Sequence, residues 1–596
     1  MTGNGKKQAD FSLMKVLLAT YTIFFRQSGK GALKILFLSF LPALVSPVKV
    51  ICENRLFAEA EAVSRSGEML LKDFLWFPLL VFLQLLYVAV YSVYRSNINY
   101  VGSELEIILQ NKLNEKTGSL DLKTFEQPQL YKKIELARNV SRDLRFMTMM
   151  FVSEIFVYIL TFVSVSGVIA SYHYSLILLS LFAVLPDIVT KILQARDQYT
   201  AMDRLQEAQR GKKYFEEILS GMQYQKEVRV YRSEDFFREK WNRKHRLFSA
   251  EKRALAVHQF KRNLISALSA GFIAFLSLLL CLWLVMHGEI EISEFAASLN
   301  AVILLKANFM RILNLGLFSL NCGLKGKYYY EVLHYPARCG GEKAVSLSQG
   351  IRMEHASFSY TEDRTVLNRI SFHIEPGKTV AVVGQNGAGK STFSKLLLGL
   401  YLPDQGQVLY DGTDVRSIPE KDLYSRSSAV FQDFCRYQFS VAENISFQES
   451  REHQDRGKML KLLSDLDLSL PCGGLSQEAL DAQLGVEFGG MELSGGNWQK
   501  LAIARGLYRP HSFIVFDEPT SAIDALTEEK IYHEILFHDH SSMKVFITHH
   551  MSTAASADFI VVLDHGKIVE SGTHAELMAR KGLYEKLWTS QAQWYQ

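Results

Sequence analysis

Gly384-Gln385-Asn386-Gly387-Ala388-Gly389-Lys390-Ser391-Thr392 holds a glycine, four spacer residues and then Gly389-Lys390-Ser391. An apolar run, Thr379 to Val383, comes before it, and helix-compatible residues to Leu400 follow. A glycine-rich turn between a strand and a helix lets backbone N–H groups point at phosphate oxygens, and the helix N-terminus adds partial positive charge. Lys390 would reach the terminal phosphates and the Ser391 hydroxyl would ligate Mg²⁺. These residues, 384–392, are the candidate cradle of a nucleoside triphosphate.

A second set of motifs follows in fixed order. Gln432 comes after the apolar pair Val430-Phe431. Leu493-Ser494-Gly495-Gly496-Asn497 lies about a hundred residues past the phosphate loop. The strand-like run Phe513 to Phe516 ends in Asp517-Glu518, and Asp524 and Thr548-His549 complete the series. This order resembles that of the ABC ATPase family: Walker A, Q-loop, signature, Walker B, D-loop and switch histidine. The resemblance covers residues from about 350 onward.

The resemblance implies a role for each position. Tyr360 would stack on adenine. Gln432 would contact Mg²⁺ or the attacking water, and Asp517 would hold Mg²⁺ through water. Glu518 would be the general base for hydrolysis, His549 would contact the γ-phosphate, and Asp524 would belong to the D-loop. Ser494, Gly495 and Gly496 would close over ATP bound to a second ATPase domain. With one such domain per chain and Glu518 and His549 both present, the simplest assembly is a homodimer with two competent sites; a heterodimer is the alternative. Asn497 and Ile523 stand where the family usually has Gln and Leu.

The elements that would position this machinery begin with the chain's first 320 residues. Six apolar stretches, near 32–52, 74–94, 148–170, 174–194, 264–286 and 292–320, are long enough to cross a bilayer. Pro42, Pro47, Pro78 and Pro186 fall in them, which a membrane bundle tolerates. Residues 95–147 and 195–263 are long and charge-rich, and the second carries a dense basic set that includes Arg238, Arg243, Arg246 and Arg262. The positive-inside rule places both in the cytoplasm, with both termini and the ATPase domain on the same side of the cytoplasmic membrane. Residues 11–25 read as an interfacial helix or one packed on the bundle.

Lys and Arg exceed Asp and Glu by only four, which does not favour nucleic-acid binding. The six cysteines are scattered and suit neither a zinc site nor a disulfide framework. Residues 1–30 carry charge throughout, against a cleavable signal peptide. The expected domains are a transmembrane region over 1–330, a linker over 331–350 and an ABC nucleotide-binding domain over 351–596.

Six spans ahead of an ABC ATPase resemble the exporter branch of the ABC transporters. The implied fold is an α-helical transmembrane bundle of the type IV exporter kind, followed by an α/β P-loop ATPase domain. In that family short coupling helices at the ends of the long loops dock on ATPase domains; residues 120–131 and 206–220 lie where they are expected. Leu484-Gly485, Phe488 and Leu493-Ser-Gly-Gly-Asn-Trp498-Gln-Lys500 look like bacterial lantibiotic and related peptide exporters. The expected function is ATP-driven export of a modified peptide by alternating access. A lipid or drug exporter is the alternative, followed by an ATP-gated regulatory membrane protein. Residues 1–30 are too few for a leader protease, so any leader would be cleaved by another protein. Asn308, Arg311 and Asn314 share one face of the sixth span, as a cargo-facing stripe or as interhelical hydrogen-bonding groups.

Overall fold

The computed structural model describes residues 13–66, 75–182, 184–338, 340–341, 343, 345–361, 364–470, 474–520, 523, 525–532 and 541–592. The chain divides into two compact units, one of residues 1–118 with 128–335 and one of residues 119–127 with 336–596.

The first unit is helical. Its elements are α1 (Leu13–Ser66), α2 (Trp76–Gly118), α4 (Pro128–Tyr172), α5 (Tyr174–Phe182), α6 (Leu185–Ser220), α7 (Gln225–Val230), α8 (Glu234–Met286) and α9 (Ile292–Leu333); α3 (Leu122–Phe125) falls in the second unit. Prolines mark the starts of several: Pro128 opens α4, and Pro78 and Pro186 fall in the first turns of α2 and α6. There the missing N–H would have had no intrahelical acceptor anyway. α8 has 53 residues, or about 80 Å at 1.5 Å per residue, well beyond a bilayer's hydrocarbon core of about 30 Å. Its polar N-terminal half therefore extends past any apolar layer that its C-terminal half crosses.

Among the described residues, four helical stretches are long and apolar enough to cross a membrane: Trp76–Gly118, Pro128–Ser171, Glu234–Met286 and Ala301–Leu320. The other two expected spans lie in α1 and across α5 and α6. The segment 11–25 falls mostly in the first turns of α1, which bends at Ser28, where the backbone leaves the helical region. Val50, Val165, Ile169, Leu176, Cys281, Leu284, Ala301 and Leu305 form one apolar core of this unit. Large side chains such as Phe82, Leu85, Phe272, Phe275 and Trp283 stay exposed, as lipid-facing positions would.

Residues 206–220 do not form a separate short helix. They are the last turns of α6, which Gly221 ends in extended backbone; the short helical pieces come after it, at Met222–Tyr224 and Gln225–Val230.

The second unit carries two sheets. Four antiparallel strands run in the order β2-β1-β4-β5: β1 (Ile351–Thr361), β2 (Arg364–Ile374), β4 (Gln405–Tyr410) and β5 (Thr413–Asp414). The six-stranded sheet runs β10-β9-β3-β8-β7-β6. Its members are β3 (Thr379–Gly384), β6 (Ser427–Val430), β7 (Phe513–Asp517), β8 (Met543–Ile547), β9 (Phe559–Asp564) and β10 (Lys567–Gly572). All neighbours in it are parallel except β9 and β10. β7 and β8 are buried along their whole length, as strands covered on both faces must be.

The β4–β5 turn is Asp411-Gly412, with φ of 48° and 77°, the two-residue hairpin geometry that Asp-Gly favours. The Asp411 carboxylate accepts N–H bonds from Ser348, Gln349 and Gly350 at 2.9, 2.7 and 3.2 Å, and one from the Ser346 hydroxyl at 3.0 Å. The chain entering β1 is thus fastened to this hairpin.

Candidate functional site

Parallel strands all point their carboxyl ends one way, and the site is built there. β3 runs into the glycine-rich loop, and α10 (Lys390–Leu397) follows with Gly389 as its N-cap. Gly384, Gly387 and Gly389 have φ of 153°, 82° and 101°, a region that side chains rarely adopt. A Cβ on Gly384 would lie 2.1 Å from the Leu563 carbonyl oxygen, whereas one on Gly387 would meet nothing within 4 Å. The loop is therefore pinned against β9 at its root and open at its crest. Gln385, Asn386 and Gly387 are exposed there, Ala388 is buried beneath, and Thr392 is buried one turn into α10.

The Lys390 ammonium, 8% exposed, donates to the carbonyls of Gly384 and Gln385 at 2.8 and 3.2 Å. Burial lowers its pKa, and the nearby Glu518 and Asp517 carboxylates act the other way. Asp517, 6% exposed, is raised by burial and by Glu518 and Asp433, against a hydrogen bond from Ser391 and the charge of Lys390. A buried carboxylate bonded to an exposed hydroxyl beside a lysine is the donor set that a hard divalent cation takes with a phosphate. The residues present fit Mg²⁺.

Strand register brings three more groups to the same end. Val430 pairs with Phe516, and Asp517 with Ile547. Gln432 and Glu518 therefore both stand two residues past a paired position, and His549 stands two past Ile547. Gln432 Nε2 donates to Glu518 Oε2 at 2.7 Å, and His549 Nδ1 lies 3.2 Å from Glu518 Oε1. Glu518 itself has φ of 48°, uncommon for a residue with a long side chain. Its N–H donates to the Ile547 carbonyl at 3.0 Å.

Tyr360, near the end of β1, is 42% exposed, and its hydroxyl lies 3.1 Å from Thr392 Oγ1. Its ring is held edge-on by Phe358 and Tyr401, at 5.2 and 5.6 Å. Ser494 caps the helix Gly495–Tyr508, accepting the Asn497 N–H at 3.2 Å. Ser494 and Gly495 are exposed, and a Cβ on Gly495 would meet nothing within 4 Å. The Asn497 side chain donates to the Ser469 carbonyl at 2.8 Å, which gives that residue a local structural task. Asp524 lies outside the described residues.

Three residues that the motif reading passed over belong to this site. Asp433 acts on Asp517. Gln499, fully buried, sends its side-chain N–H toward the Glu518 carbonyl at 3.4 Å. Tyr401 supports Tyr360. Gln499 was accessible as part of Trp498-Gln499-Lys500; Tyr401 carried no local signal.

In the helical unit, the sixth-span residues divide. Asn308 is 3% exposed, while Arg311 and Asn314 are exposed, and Arg311 sits over the Tyr158 ring at 5.4 Å. Tyr158 donates to Glu154 at 3.0 Å, and Lys306 pairs with Asp187 at 3.3 Å.

A membrane-helix unit joined to a P-loop ATPase unit with this order of site residues defines an ATP-driven membrane transporter. The family model for the ABC transporter transmembrane region matches residues 32–307, and that for the ABC transporter ATPase, described as ABC transporter, matches residues 367–521. The chain belongs to the ABC transporters and carries an ABC-type ATPase of the exporter kind. It is 26% identical over 590 residues to the subtilin transport ATP-binding protein SpaT of Bacillus subtilis, covering 96% of this chain and 94% of that one. It is 37% identical over 253 residues to an ATP-dependent lipid A-core flippase of Pseudomonas fluorescens, covering 42% of this chain and 41% of that one. Its fold is similar to a bacterial Atm1-family ABC exporter solved with ATP bound, with TM-score 0.75, 20% identity, and 95% of this chain and 98% of that one covered.

Proposed function

We propose that the chain is one half of a homodimeric exporter of a modified peptide, with ATPase domains and both termini on the cytoplasmic side of the cell membrane. The observation that carries the peptide reading is the likeness to the subtilin transport protein SpaT along 96% of this chain, helical unit included. The flippase likeness covers 42%, so a lipid cargo draws less support.

In this reading the crest of residues 384–392 and Lys390 hold the phosphates of ATP, and Tyr360 takes the adenine. Ser391 and Asp517, with Gln432, would hold Mg²⁺, which neutralises charge on the phosphate oxygens. The Glu518 carboxylate would accept a proton of the attacking water, and Gln432 and His549, one on each carboxylate oxygen, would hold that carboxylate in place. Gly387 of one chain and Gly495 of the other both offer open space, so Ser494-Gly495-Gly496 can cover the phosphates bound by the partner. Asp524 would belong to the D-loop, as the motif order implies.

Transport into inside-out membrane vesicles is the test. A modified peptide co-encoded with the chain should stimulate ATP hydrolysis and accumulate in the lumen only when ATP is present. Stimulation by lipid or drug, with no response to that peptide, would replace the peptide reading with the alternative.

A further inference from the structure

The segment between α2 and α4 is nine residues long, 119–127, and it packs with residues 336–596. The Arg338 N–H donates to the Ser119 carbonyl at 3.3 Å. Leu122 packs on the apolar core that contains Phe358 and Tyr401. Two side chains of the segment then reach Tyr360 by separate routes.

Lys123 pairs with Asp404 Oδ1 at 2.8 Å and lies over the Phe358 ring at 4.6 Å. The other Asp404 oxygen accepts the Ser359 N–H at 2.7 Å, so this route ends on the backbone beside Tyr360. On the second route, the Tyr401 hydroxyl donates to Glu126 at 2.6 Å. Tyr401 is fully buried, stacked on Phe358 at 4.8 Å and set edge-on against Tyr360 at 5.6 Å. Burial and its polar neighbours Glu126 and Tyr360 push the Tyr401 hydroxyl far above the usual phenol range. It therefore stays protonated and keeps donating to the carboxylate, and hydrogen bonds to a charged group are among the stronger ones.

We infer that Tyr401 and Glu126 are positioning residues for the nucleobase: they set the pose of Tyr360, and through them base occupancy tightens the segment 119–127 that joins α2 to α4. This rests on the reading that Tyr360 takes the adenine. It is a route from the base side of the nucleotide, separate from Gln432 and Glu518 on the phosphate side. Linkage makes it reciprocal: whatever holds the segment also favours base binding, to the same factor.

Hydrogen exchange in residues 119–127 of the full-length Glu518→Gln protein in nanodiscs tests it. The probes are Mg·ATP and Mg·tripolyphosphate, which has no base, at concentrations that fill the site equally. ATP should slow exchange of the segment several-fold more than tripolyphosphate does. In the otherwise native chain, Tyr401→Phe keeps the ring and loses the hydroxyl. It should raise KM for ATP roughly tenfold, the scale of a lost charged hydrogen bond, and leave kcat nearly unchanged. Glu126→Gln should act in the same direction, and the double variant should be no worse than the single ones. Equal protection by both probes, or a Tyr401→Phe effect confined to kcat and melting temperature, overturns the inference. Tyr360→Ala separates the two readings. Unchanged ATP affinity defeats the adenine assignment itself; lost affinity in a protein whose segment ignores the base defeats only the relay.

Discussion

Gln432 and Glu518 are 86 residues apart in the chain and joined by a 2.7 Å hydrogen bond. Parallel pairing of β6 with β7 at Val430 and Phe516 puts both at the same height above the sheet. His549 arrives from β8 and lies 3.2 Å from the second Glu518 oxygen. One carboxylate thus has a neutral donor on one side and an imidazole on the other.

Replacing that carboxylate should stop hydrolysis without stopping binding. Glu518→Gln is expected to lower ATP turnover by at least about 100-fold, the contribution typical of a positioned general base. ATP should remain bound, as read by retention of labelled nucleotide. Turnover near the parental rate would remove Glu518 from its assigned role.

Gly384 has no room for any side chain, because a Cβ would lie 2.1 Å from the Leu563 carbonyl. Gly384→Ala must therefore shift the root of the loop or β9. The expected outcome is loss of ATP binding, measured by equilibrium dialysis, and a lower melting temperature of the ATPase unit. Gly387→Ala meets no atom within 4 Å; there only the φ of 82° resists, and the stability loss should be smaller.

The dimer reading predicts proximity between chains. With the native cysteines replaced, including the exposed Cys435, cysteines at Gly387 and Gly495 should cross-link two chains. The yield should rise when ATP is added to the Glu518→Gln protein. Efficient cross-linking within one chain, or none with ATP, would contradict the proposed sandwich.

Asp411 gives the ATPase unit a pH-dependent fastening. Burial alone would raise its pKa, but the N–H groups of Gln349, Ser348 and Gly350 and the Ser346 hydroxyl outweigh it and hold the carboxyl below the usual range. A depressed folded-state pKa contributes stability that is present above the unfolded value, about 4 for Asp, and is lost as pH falls through the folded value. Asp411→Asn should be less stable than the parent at neutral pH, and the gap should narrow below about pH 4. Thermal unfolding across that range measures it.

Much of this was legible in the sequence because the phosphate loop and its successors are runs of adjacent residues with fixed chemistry. Glycine spacing, Lys390-Ser391 and the carboxylates ending β7 need no tertiary knowledge. The helices of the first unit were legible because prolonged apolar runs have few other uses. What escaped depended on contacts between distant residues. Tyr401 and Glu126 are 275 positions apart, and neither stands in a motif. The long α6 was cut short in the reading because amphipathic residues 206–220 look alike whether they begin a new helix or finish an old one; Gly221 was the better marker. The sixth-span stripe was drawn from periodicity, which could not tell that Asn308 would be buried while Arg311 and Asn314 would not.

The left-handed backbone at Glu518 has a consequence for fitness. A side chain held at φ of 48° costs on the order of 1 kcal/mol that glycine would not incur. Glu518→Ala and Glu518→Gly lose the same contacts to Gln432 and His549, and they differ in that backbone term. The glycine variant should therefore melt higher than the alanine one. The strain sits at the carboxylate that Gln432 and His549 both touch, so the local backbone cost is carried where the proposed chemistry would occur.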